Sequence, residues 1–175
     1  MTEQPAHPLN ILLADDDSDD CLFFKEALKS FPLPTNLTVV KDGEQLMQVL
    51  TDETISLPDV LFLDINMPRK NGFECLSEIK QHENLEQLPV IIYTTSFHKK
   101  VADLLYSKGA AYYISKPSEI SMLKKAVQKT ITLIAQGNVT QPEKEQFVLT
   151  TNRKNEKAFS WFSNFFSSPI ADYLN

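Results

Sequence analysis

A handful of residues, far apart in the chain, carry side chains suited to joint chemistry. Asp15, Asp16 and Asp17 follow the apolar run NILLA (10–14). Asp64 closes DVLFL (59–63), with Asn66 two residues on; Thr94 and Thr95 follow PVIIY (89–93); Lys116 stands before Pro117 after AYYIS (111–115). Brought to one place, the carboxylates of Asp15, Asp16 and Asp64 would repel one another, and a proton or a cation would have to relieve them. Magnesium suits such an all-oxygen set, because it keeps several waters and takes one or two carboxylates plus phosphate oxygens. Asp16 and Asp64 would supply the carboxylates and a main-chain carbonyl near Asn66 a third protein ligand. Lys116 would balance incoming negative charge, and the Thr94 hydroxyl would donate to a phosphoryl oxygen. Together the parts suit an aspartate that accepts a phosphoryl group, with Asp64 as the nucleophile.

The runs that carry these residues, together with LTVV (37–40), are short, rich in Val, Ile and Leu, and free of polar alternation. Such runs are parallel strands covered on both faces. Helical spacing follows each one: Leu22, Ala27 and Leu28; Leu46, Met47 and Leu50; Phe73, Leu76 and Ile79; Val101, Leu104 and Leu105; Leu123, Val127 and Ile134. Five alternations of strand and helix predict a doubly wound α/β sheet. Ligands bind such a sheet outside the carboxyl ends of its strands, where the polar residues above are placed. Ser18 and Ser118 are positioned to cap the helices after strands one and five, and Gly109 to end the fourth helix in a left-handed residue.

Composition removes several function classes. The balance of 17 Lys+Arg against 23 Asp+Glu leaves a net charge of −6 with no basic cluster, which disfavours nucleic acid. No apolar stretch reaches signal-peptide or membrane-span length, so a soluble cytoplasmic protein is expected. Cys21 and Cys75 lack CxxC spacing, and His7, His82 and His98 are scattered, so buried reduced thiols are expected rather than zinc ligands. The four glycines, Gly43, Gly72, Gly109 and Gly137, are too widely spaced for a dinucleotide or P-loop cradle.

ILLADDD, PDVLFLDINMPRKNG, VIIYTTS and GAAYYISKPS occur in the order of the motifs of two-component receiver domains, and residues 8–135 resemble that CheY-like family. The resemblance implies a flavodoxin-like five-stranded sheet of order 2-1-3-4-5 and a receiver domain over 8–136. It implies Asp64 as phosphoacceptor, Asp16 as direct and Asp15 as water-mediated magnesium ligand, and Asn66 as the carbonyl ligand. Thr94 matches the hydroxyl switch, Tyr113 the aromatic switch, and Lys116 the phosphate-binding lysine, whose bond to Pro117 is usually cis in the family. A histidine kinase or phosphotransfer protein is the implied donor. Within the family, KDGEQLMQVL and EIKQHENLEQLPVI look most like stand-alone regulators associated with phytochromes and hybrid kinases.

Two other functions fit parts of the pattern. A magnesium-dependent phosphatase with turnover would want a second aspartate two residues after Asp64, where this chain has Asn66. A scaffold acting through the tail alone would make Asp64 irrelevant. Without an output domain, signalling is expected to run through protein contacts, at the face of the fourth helix and fifth strand or through the tail.

After Gln136 the character changes, and residues 137–175 are read as a C-terminal extension. Four basic groups balance four acidic ones there, and the stretch is too short and too neutral for a helix-turn-helix output domain. In helical register Ala158, Trp161, Phe162, Phe165 and Phe166 form an aromatic stripe over 158–168. Folding back on the domain, a homodimer or partner contact, and a membrane-surface helix all stay open for this stripe.

Overall fold

The computed structural model describes residues 8–95, 97–135 and 141–149. Strand and helix alternate as β1 (Leu9–Ala14), α1 (Ser18–Leu28), β2 (Thr35–Val40), α2 (Gly43–Thr51), β3 (Val60–Leu63) and α3 (Gly72–Gln81). The chain continues with β4 (Val90–Thr94), α4 (Lys99–Ser107), β5 (Tyr112–Ser115), α5 (Ile120–Ala135), α6 (Lys144–Phe147) and β6 (Val148–Leu149). All strand pairs are parallel, in the order β2-β1-β3-β4-β5-β6. The first five reproduce the expected order. The sixth comes from FVLTT, a run inside the stretch read from the sequence as an extension.

Strand residues alternate between two cores because successive side chains leave opposite faces of a sheet. Leu12, Leu61, Leu63, Val90, Ile92 and Tyr113 pack under α2, α3 and α4. Ile11, Leu13, Phe62, Ile91, Tyr93 and Ile114 pack under α1 and α5, where Phe24 meets Phe62 and Tyr93 edge-on at centroid separations of 4.7 and 5.5 Å. Both faces are therefore dry, which explains the unbroken apolar runs. Cys21 and Cys75 are buried and free.

Helix ends refine the expected caps. Asp17, not Ser18, caps α1: its side chain accepts from the Asp19 and Asp20 amides, and Ser18 is the first helical residue. Ser118 does not open α5 either; the Glu119 carbonyl accepts the first helical bonds, from Met122 and Leu123. Gly109 behaves as expected. Its φ of 91° closes α4, the Gly109 amide donates to Tyr106 O and the Ala110 amide to Leu105 O, a two-bond left-handed stop.

Candidate active site at the carboxyl ends of the strands

Parallel register brings the ends of β1, β3, β4 and β5 side by side, and each delivers one or more of the expected residues. Asp15 follows β1 and is wholly buried; Asp64 follows β3 and is 5% exposed; Asp16 faces solvent. One carboxylate oxygen from each of the three falls within 4.8 Å of the others. Lys116 reaches in from the end of β5, with Nζ 2.7 Å from Asp15 Oδ2, 3.9 Å from Asp64 Oδ2 and 5.1 Å from the centre of the Tyr93 ring.

Burial pushes the Asp15 carboxyl up to about 6; the Lys116 ammonium beside it pulls the other way, and Asp64 adds to the rise. Burial also works against the Lys116 charge, but Asp15 and Asp20 outweigh it and hold the ammonium above its ordinary value. An acidic pocket that leaves one carboxyl this reluctant to ionise fits an added positive charge. Its donors are all oxygens, the preference of a hard divalent cation.

Thr94 ends β4 with its hydroxyl buried and, among the described residues, without a hydrogen-bond partner. Its carbonyl accepts from the Lys116 amide at 2.8 Å, tying the hydroxyl-bearing strand end to the lysine. Tyr113 is fully buried, its ring edge-on to Phe97 at 5.7 Å and to Phe147 at 6.2 Å. Asn66 lies exposed on the loop after Asp64. The Lys116–Pro117 bond is trans, as are all described peptide bonds, a correction to the cis form that the resemblance implies.

Two site features escaped the sequence reading, and a third residue, placed by the resemblance in the loop after the acceptor, makes a contact that it did not foresee. Asp20 takes Lys116 Nζ at 2.8 Å; it sits one turn beyond Asp16, a helical spacing that could have drawn attention to it. Arg69 adopts φ 64° and pairs with the buried Asp42, whose other oxygen caps α2 through the Gln45 amide. The third is Gly72, against whose α-carbon the backbone of Asp64 is packed.

Residues 11–128 match the model of the response regulator receiver domain. The chain belongs to the response regulator receiver family. This receiver is 32% identical over 146 residues to response regulator Rcp1 of Synechocystis sp. (strain ATCC 27184 / PCC 6803 / Kazusa), across 77% of this chain and 99% of that protein. The solved Mn(2+)-bound form of Rcp1 matches with a TM-score of 0.67 at 32% identity, covering 77% of this chain and 99% of that one. The phosphorylated cyanobacterial phytochrome response regulator RcpA gives 0.69 at 30%, covering 74% and 96%. Against the DNA-binding transcriptional regulator NtrC of Escherichia coli (strain K12), by contrast, the receiver is 33% identical over 122 residues but spans only 24% of that protein. Its likeness to Rcp1 and to the phytochrome response regulator RcpA thus runs along nearly their full length. Among the described residues, no helix is long and apolar enough to cross a membrane.

Proposed function

We propose that this receiver takes a phosphoryl group from a histidine kinase or phosphotransfer protein onto Asp64 and signals through protein contacts. The observation that carries the reading is the position of Lys116 Nζ, 3.9 Å from Asp64 Oδ2 and in contact with two further carboxylates. An Asp64 oxygen attacks phosphorus, the P–N bond of a phosphohistidine breaks, and the imidazole nitrogen keeps the electron pair and takes up a proton. The product is an acyl phosphate, which water later returns to carboxylate and inorganic phosphate.

Asp15, Asp16 and Asp64, with the Asn66 carbonyl, would hold the cation, which we take to be Mg2+; when bound it supplies neutralisation of the charge on the transferring group. Lys116 adds a second positive charge at the phosphoryl oxygens. Asp15 and Asp20 keep that ammonium in place. The buried hydroxyl of Thr94 donates to the new phosphoryl oxygen, and the Tyr113 ring then turns toward Thr94. That movement shifts a two-state equilibrium of the α4–β5 surface, through which a downstream partner or a second copy reads the signal.

Intact mass after incubation with acetyl phosphate and Mg2+ tests the reading. A single phosphoryl adduct is expected in the wild type, none in Asp64→Ala, and a slower gain in Asp16→Ala. No mass gain in the wild type with any donor would defeat it. Release of many equivalents of phosphate from a generic ester would favour a phosphatase instead. The aromatic stripe 158–168 lies outside the described residues.

A further inference from the structure

Residues 141–149 lie beyond the stretch matched by the receiver model, 11–128, yet they complete the sheet. Val148 and Leu149 pair with Tyr113 and Ile114 along the free edge of β5. Gln141 Nε2 donates to the carbonyls of Tyr106 (2.7 Å) and Ala110 (2.8 Å), the Tyr106 hydroxyl donates to Pro142 O (3.0 Å), and Lys144 pairs with Asp103 (3.0 Å). Phe147, only 1% exposed, is inserted between α4 and β5, edge-on to Tyr106 at 5.2 Å and to Tyr113 at 6.2 Å.

From this packing we infer that residues 141–149 form a strap whose docking is coupled, through Tyr113, to phosphorylation of Asp64: the docked strap favours the unmodified site, and phosphorylation loosens it. The inference rests on the switch reading of Thr94 and Tyr113. The Tyr113 ring is held between Phe97, on the loop leading into α4, and Phe147 of the strap. A ring that turns toward Thr94 leaves Phe147 without one of its two aromatic neighbours among the described residues.

Any element that binds one ring position better than the other shifts the balance between them, and the coupling is reciprocal. An edge-to-face contact sets its size at about two- to tenfold. The strap can come away without unfolding the domain, since it is one helical turn and two paired residues, held by a few peripheral polar bonds and the buried side chains of Phe147 and Leu149. Its release would free the β5 edge beside the α4 face.

Hydrogen exchange of the full chain, with and without acetyl phosphate and Mg2+, tests the coupling, with intact mass read on the same samples. Peptides over 141–149 should exchange about two- to tenfold faster once the mass shows a phosphoryl group, while those over β1 and β3 should not change. Gln141→Ala, which removes two strap bonds at an exposed position, should raise the ratio of phosphorylated to free protein at limiting donor by a similar factor. Unchanged or slower exchange at 141–149 in protein that carries the phosphoryl group overturns the strap and leaves the receiver reading standing. Failure to gain mass overturns the receiver reading and the strap with it.

Discussion

A β-carbon placed on Gly72 would lie 2.3 Å from the carbonyl oxygen of Asp64 and 2.8 Å from the α-carbon of Ile65. Both neighbours are backbone and belong to the residues that carry or follow the acceptor, so they cannot yield without moving it. The Gly72 amide also donates to Ile65 O at 2.9 Å, which makes the loop a closed clasp around the end of β3. Gly72 therefore lets α3 begin against the acceptor itself, and the helix is fixed there by the reciprocal Asn71–Glu74 cap.

Gly72→Ala should cost about 1–3 kcal/mol in denaturant unfolding, the usual range for overpacking a tight site. It should also slow phosphorylation from acetyl phosphate more than the stability loss explains, because the displaced group is Asp64. Unfolding curves and initial rates on the same preparation check both, and a variant with wild-type rates would show that the loop yields elsewhere.

Asp15 gives the metal-free protein a distinctive pH dependence. Its folded pKa, about 6, stands above the ordinary 3.8, so the folded state holds this proton more tightly than the unfolded chain. The contribution to stability is complete below about 3.8 and is lost as pH rises through about 6, by roughly 2–3 kcal/mol. Asp17, Glu26 and Asp52 act oppositely, but their pKa values lie below the ordinary range, so their losses come at more acid pH. Urea unfolding in chelator should show the wild type losing ground to Asp15→Asn between pH 4 and pH 6. Added Mg2+ should restore the wild type at pH 7 and do nothing at pH 4.

Arg69 offers a test of how the metal loop is aimed. Its left-handed backbone suits glycine, and its guanidinium pairs with Asp42 and approaches Glu44 at 3.9 Å. Arg69→Gly keeps the backbone shape and removes the tie between the loop bearing Asn66 and the start of α2. Divalent-cation affinity measured by calorimetry should fall about tenfold, the low end for groups that orient metal ligands. Arg69→Ala, which also opposes the positive φ, should do worse; equal affinity in all three proteins would remove Arg69 from the positioning of the site.

Much of this molecule is written locally. The five apolar runs and their helical sequels specify a sheet buried on both faces, since alternation of strand and helix leaves few other ways to cover such strands. With the runs assigned, Asp15, Asp16, Asp64, Thr94 and Lys116 fall at strand ends by counting residues, and Gly109 falls at a helix stop. What tertiary structure alone decided are contacts between groups with no local relation. The pairing of Lys116 with Asp20 spans 96 residues. The tie of Arg69 to Asp42 and the approach of Gly72 to the Asp64 backbone depend on how α2 and α3 dock, which no periodicity encodes. Val148 and Leu149, inside the short run FVLTT with little strand signal of its own, become a strand because β5 presents an unpaired edge and the Tyr106–Tyr113 surface accepts Phe147. Sequence periodicity records which residues avoid water; which of them meet is set by packing between distant segments.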